Sequence, residues 1–214
     1  DTLYLFYSAT GVHSQAGFLS SRYSVGVATL DLEGRSIKEA LFDDSAVFNK
    51  HPANPILEYN ATDSDYNNSL AEPSVVFRNG KFEVFVTGLR VANPASDVGD
   101  NLNGLAFGRF VLDTDMAFES AEISNLLDLL EPDFNNAVLP LNIVEVHHTG
   151  EQYLAFYTFF GEGDFHKQET IKLATSPDGL NWSNDETILS YGDSITASDG
   201  WGIMAPTVVL ESEQ

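Results

Sequence analysis

The chain lacks cysteine altogether, and it carries only 10 Lys and Arg against 32 Asp and Glu. Without thiols there can be no disulfide framework, no thiolate metal site and no cysteine nucleophile. The shortage of cations leaves a net charge of −22. That excludes a nucleic-acid partner, because neutralising phosphates needs clustered Lys and Arg. It also disfavours an anionic membrane surface. No apolar run approaches the ~18 residues that a membrane span requires. P-loop, dinucleotide-binding, nucleophile-elbow and zincin motifs are missing too, so nucleotide and serine-nucleophile chemistry have no support.

What the chain does have is a core. Of its 214 residues, 43% are apolar and 12% aromatic, enough to fold as one large domain or two small ones at roughly 100–200 residues each. The acidic surplus suits a hydrated, soluble surface and leaves room for a neutral polar or cationic ligand. The first residue is Asp1 rather than Met. This is the expectation for a processed or excised chain, and it suggests a secreted or periplasmic protein.

The local pattern is strand and turn. Val75 to Phe77, then Arg78-Asn79-Gly80-Lys81, then Phe82 to Val86 reads as a hairpin, since Asn-Gly supplies the two positive φ angles of a type I′ turn. A second hairpin is expected from Ile143–Val146 through a His147-His148-Thr149-Gly150 turn to Tyr153–Tyr157. Ser120 to Leu130, with acids followed by four leucines, is the one helix expected.

Three strand types recur in a fixed order. Pro-strands stand at Glu72–Val76, Leu139–Ile143 and Ala205–Val209, beginning about 67 residues apart. Aromatic strands stand at Leu3–Ser8, Phe82–Gly88 and Tyr153–Thr158, and small-residue strands at Val25–Thr29, Leu102–Ala106 and Ile171–Thr175. About four strands per unit is the count of a propeller blade. The fold expected is therefore all-β, a β-propeller of four-stranded antiparallel blades with about three blades, and the alternative is an antiparallel sandwich. The units run about 1–58, 59–130 and 131–189, with 190–214 supplying the inner strand of the N-terminal blade. Three blades are too few for a ring, as propellers usually have about four to eight. Either two copies form a six-blade homodimer or the chain belongs to a longer propeller.

These blade sequences resemble the five-bladed propeller glycoside hydrolases, of the arabinanase and xylosidase family 43 type and the invertase and levansucrase family 32 and 68 type. Glu72-Pro73-Ser74-Val75-Val76 through Phe85 matches the first half of their blade. Leu173-Ala174-Thr175-Ser176-Pro177-Asp178-Gly179 through Trp182 matches the second half, and Asn54-Pro55-Ile56-Leu57 resembles the tail before the next blade. The Ser176–Trp182 stretch is also similar to the sialidase Asp-box, one residue short, and should act as a turn with Trp182 packed between blades.

The resemblance implies a carbohydrate-active protein that hydrolyses or binds a glycoside in an axial cavity. The alternative is a non-catalytic carbohydrate-binding or interaction propeller. Glycoside cleavage needs two carboxyl groups. Glu72 stands where the family has its acid before Pro, while the positions matched to the general acid hold Val138 or Met204. Asp199 is the second catalytic candidate, and Asp164 and Asp65 are further loop acids. Trp201, Met204 and Tyr66 are expected at the substrate, and Phe159 and Phe165 are other aromatics that could stack on a sugar. No cofactor is expected. Calcium is the alternative, in the oxygen-rich stretch of Asp97, Asp100, Asn101 and Asn103, although its spacing matches no EF-hand. His147-His148 has no spaced partner for zinc.

Overall fold

The computed structural model describes residues 1–10, 23–42, 46–58, 69–91, 102–126, 144–160, 169–190 and 206–209. They form three antiparallel sheets. The first holds β1 (Thr2–Thr10), β2 (Tyr23–Asp31) and β3 (Asn49–Lys50) in chain order, with the helix α1 (Ile37–Leu41) between β2 and β3. The second holds β4 (Ser69–Arg78), β5 (Lys81–Val91), β6 (Leu102–Leu112) and β7 (Phe118–Ser124), and the third β8 (Val144–His148), β9 (Tyr153–Phe160), β10 (Glu169–Ser176) and β11 (Ser183–Leu189). Each four-stranded sheet is a meander in which every strand pairs with the next. The sheets are blades 1, 2 and 3 below.

Alternation of side chains along β5 explains how the blades stack. Successive residues of a strand point to opposite faces. Phe82, Val84 and Val86 enter a cluster with Val25, Val27 and Leu57 of blade 1, joined by Tyr4 and Phe6. Phe85, from the opposite face, enters a second cluster with Val144, Val146, Tyr153, Ala155, Tyr157 and Trp182 of blade 3. Both faces of β5 are thus buried, so apolar residues occupy both phases of its Phe82–Val86 stretch, with Glu83 the one exception. β4, the first strand of its meander, packs against β1, β2 and β8, which makes it the inner strand of blade 2. The Ser74 hydroxyl accepts the Val146 N–H at 2.8 Å, joining β4 to β8. On the outside of blade 1, Leu30, Leu32 and Ala40 form a small third cluster. There α1 is started by a reciprocal cap, with Ser36 bonded to the Glu39 N–H and Glu39 to the Ser36 N–H.

The Asn79-Gly80 hairpin forms as the sequence predicts, with φ of 53° and 76°. The second hairpin turns later than expected. Thr149 N–H bonds the Gln152 carbonyl at 3.0 Å, Gly150 takes φ 95°, and His147 and His148 lie within β8. This register makes Val146 the counterpart of Val75, since each stands three residues before the residue that opens its turn, Thr149 or Arg78, and they pair with Ala155 and Val84. The Leu139–Ile143 Pro-strand and the Val138 position lie outside the described residues.

The helix expected over 120–130 is corrected by β7. Phe118–Ser124 is a strand paired with β6. Its acids are not a helix face but an exposed edge, where Glu119 pairs with Lys81 and Glu122 with Arg109 at 2.7 Å. Leu126 is fully buried between blades 2 and 3, and residues 127–130 lie outside the described residues.

The Ser176–Trp182 turn does what its sequence suggests. Asp178 Oδ1 accepts the N–H groups of Leu180 and Asn181 at 2.9 and 2.8 Å. These bonds hold its carboxyl well below the usual carboxylate range. The turn is fastened to blade 2. Arg109 donates to the Asp178 carbonyl at 2.6 Å, Asn125 N–H to the Leu180 carbonyl at 3.0 Å, and Trp182 N–H to Asn125 Oδ1 at 2.7 Å. Gly179 lies at φ 76°, and a Cβ there would stand 3.2 Å from the Phe85 ring. Glycine thus serves both the backbone angle and the close approach.

Candidate functional site

The seam between blade 1 and blade 2 is held by two serine hydroxyls. Tyr23 N–H donates to the Oγ of buried Ser69 at 2.9 Å. Glu72 N–H donates to Ser8 Oγ at 2.7 Å. Ser8 belongs to β1 and Glu72 to β4, so the contact joins the first strand of blade 1 to the inner strand of blade 2.

Glu72 is unusual in three respects. Its φ is +56°, a left-handed angle that costs a side-chain-bearing residue of order 1–3 kcal/mol and that clusters at functional sites. It sits in a bulge, where the β4–β5 register shifts between Ala71 and Ser74, and bulges re-aim side chains. Its Oε2 is buried with no hydrogen-bond partner among the described residues. Loss of hydration pushes its carboxyl up to about 7. A carboxyl poised near neutrality can hold a proton to donate and can release it, which is the property a general acid needs. It can also donate a hydrogen bond to a sugar oxygen with no chemistry at all.

The other proposed site residues, Asp199, Trp201, Met204 and Tyr66, lie outside the described residues, as do Asp65, Asp164 and Phe165. Phe159 is in β9 with its side chain undescribed. Of the proposed calcium stretch, Asn103 belongs to β6 and Asp97, Asp100 and Asn101 lie outside the described residues. Among the described residues no group of three or more His, Asp or Glu could hold a metal ion. His147 Nε2 lies 3.1 Å from Glu145 Oε1, and His148 accepts the Gly150 N–H at 3.0 Å. Both histidines therefore serve their own hairpin.

A second buried carboxyl escaped the sequence reading. Glu83, 7% exposed, projects from β5 toward blade 3. Its Oε2 accepts the Tyr153 hydroxyl at 2.5 Å, and its Oε1 accepts two bonds from Arg78 at 3.3 Å. The Arg78 guanidinium also lies 5.2 Å from the Tyr153 ring centre. Burial and the Glu83 contact push the Tyr153 phenol up to about 12. This is a closed network in which every charge is answered, and it locks two blades together. The signal was available in the sequence: one acid inside the otherwise apolar run Phe82–Val86. Ser8 carried none, being one hydroxyl at the end of an aromatic run.

No family model and no curated protein sequence matches the chain. Among solved structures it is similar to a β-1,2-mannobiose phosphorylase from Listeria innocua in complex with β-1,2-mannobiose. The identity is 18% and the TM-score 0.54, over 94% of this chain and 47% of that one. It is also similar to a GH32 β-fructofuranosidase of Bombyx mori in complex with sucrose, at 11% identity and a TM-score of 0.49, over 87% of this chain and 35% of that one. The chain thus spans less than half the length of either structure. Stacked four-stranded meanders and the first of these likenesses agree on the fold: antiparallel β-propeller blades, of which this chain forms about three.

Proposed function

We propose that the chain binds a neutral glycoside at the blade 1–blade 2 seam, with the protonated Glu72 carboxyl as its principal hydrogen-bond donor. The observation that carries this reading is Glu72 itself, strained, largely buried and unpartnered at Oε2 among the described residues. A buried polar group without a partner is stabilised by a ligand that supplies one. A neutral ligand also suits a chain of charge −22, which repels anionic sugars. The carbohydrate ligands of the structural neighbours, β-1,2-mannobiose and sucrose, are the chemistry to try first.

Hydrolysis is the second reading, favoured by the carboxyl of Glu72 lying near neutrality. It requires a second carboxyl about 5–9 Å away across the scissile bond, for which Asp199 is the proposed residue. Calorimetry and reducing-sugar release on a panel of neutral disaccharides separate the two. A binder keeps its affinity in Glu72→Gln, whose amide still donates, and loses about tenfold or more in Glu72→Ala. A hydrolase loses turnover in Glu72→Gln, because an amide cannot transfer the proton. No affinity for any disaccharide in the unaltered protein would overturn both.

A further inference from the structure

Blade 1 has three strands where its neighbours have four, and β1 is its open edge among the described residues. The hydrogen-bonding phase of that edge can be worked out. Leu32 N–H bonds the Asp1 carbonyl at 2.9 Å, and β1 and β2 pair in one unbroken register. Bonded pairs alternate in an antiparallel ladder. Leu3, Leu5 and Tyr7 therefore bond to β2, and Tyr4, Phe6 and Ser8 aim their N–H and C=O groups at the open side.

Blade 3 shows what such an edge takes. There the Thr149–Gln152 bond fixes the phase, so Leu154 and Phe156 bond to β8, and Val146 opposite Ala155 is a non-bonded pair. Leu5 and Phe6 are the counterparts of Ala155 and Phe156, by sequence and by face. Phe6 packs toward the following blade, while Leu5 faces the other way and is 47% exposed.

The chain contains one more stretch of inner-strand sequence. Pro206-Thr207-Val208-Val209 repeats Pro73-Ser74-Val75-Val76. In this structure it belongs to no strand, and Val209 is 86% exposed. Edge and segment are thus complementary, yet one molecule does not join them. We propose that β1 is a strand-docking site for the Pro206–Val209 segment of a second copy of this chain, so that the copies exchange their inner strands.

The template sets the register. Thr207 pairs with Phe6 and Val209 with Tyr4 through backbone bonds, and Val208 faces Leu5 as a non-bonded pair. Pro206 then falls opposite Tyr7, at a position whose N–H is not required, so its missing donor does no harm. Thr207 takes the place of Ser74, whose hydroxyl reaches across to Val146 N–H; its hydroxyl would reach the Val75 N–H in the same way.

Cysteine cross-linking tests both the register and the source, in a chain that has no cysteine of its own. Non-bonded pairs bring Cα atoms to about 4.5 Å, within disulfide range. Leu5→Cys and Val208→Cys proteins, mixed and oxidised mildly, should yield a covalent heterodimer, whereas Leu5→Cys mixed with Val209→Cys should not. Light scattering should find the unmodified protein dimeric. Thr207→Pro, which deletes a bonding N–H, should return it to monomer with unchanged far-ultraviolet circular dichroism. An intramolecular disulfide in the Leu5→Cys, Val208→Cys double variant would overturn exchange between copies. The absence of any cross-link, or a monomer at all concentrations, would overturn the docking site.

Discussion

Glu72 combines a left-handed backbone with a dehydrated carboxyl, and its consequences can be read from pH. Its carboxyl titrates near 7 in the fold and at its ordinary value once unfolded. Between those values the unfolded chain has lost a proton that the native chain keeps, so stability falls as pH rises through this window. The protein should be more stable at pH 5 than at pH 8 through this residue. Glu72→Gln should flatten that difference in thermal melts. An unchanged pH dependence would mean that the carboxyl is hydrated. Glu83 is the opposite case. Its charge is answered by Arg78 and Tyr153, so Tyr153→Phe should cost about 1–3 kcal/mol by leaving a buried carboxylate short of a donor, measurable by urea denaturation. Ser8 lies between these extremes, since Ser8→Ala removes the acceptor of a single backbone N–H.

Among the elements, the turn at Ser176–Trp182 and strand β7 show how the sequence signals differ. The turn was legible because its chemistry is local. Asp178 bonds the backbone two and three residues on, and only glycine fits position 179. Asp178→Ala should therefore loosen the blade 2–blade 3 latch, at a cost of about 1–2 kcal/mol, detectable as a lower melting temperature. Trp182→Ala at the same latch should cost about 3–5 kcal/mol, as removal of a fully buried aromatic does. β7 was not legible, because acids before leucines look like an amphipathic helix. Only the ladder offered by β6 makes a strand the better structure. The second hairpin turned later than its sequence suggested for a related reason. Two histidines before Thr149-Gly150 look like turn residues, but His147 and His148 pair within β8 and the turn closes at Thr149–Gln152, two residues on. At the candidate site, Glu72 was legible from its place before Pro73, whereas its Ser8 partner comes from a strand 64 residues away.

For the whole molecule, the charge of −22 acts on every association it enters. Two such copies repel at low ionic strength, and added salt screens them, with a Debye length of ~10 Å at 0.1 M and ~3 Å at 1 M. Strand exchange at β1 should therefore strengthen from 0.05 to 0.5 M salt, the reverse of an association driven by opposite charges. Sedimentation across that range would show it.

Finally, β5 belongs to two interiors at once. Its even residues complete the cluster shared with blade 1 and its Phe85 anchors the one shared with blade 3. Neither boundary can open without exposing one face of this strand, and only loss of both frees its amides. In stacked repeats, stability is largely a sum over such neighbouring interfaces. Hydrogen exchange should therefore be slowest at Phe82–Val86 and fastest on the outer edges, at β3, β7 and β11. A substitution confined to the blade 3 side, such as Trp182→Ala, should speed exchange in β9 and β10 while β2 keeps its protection. If β2 exchanged as fast as β9 in that variant, the blades would be melting as one cooperative body.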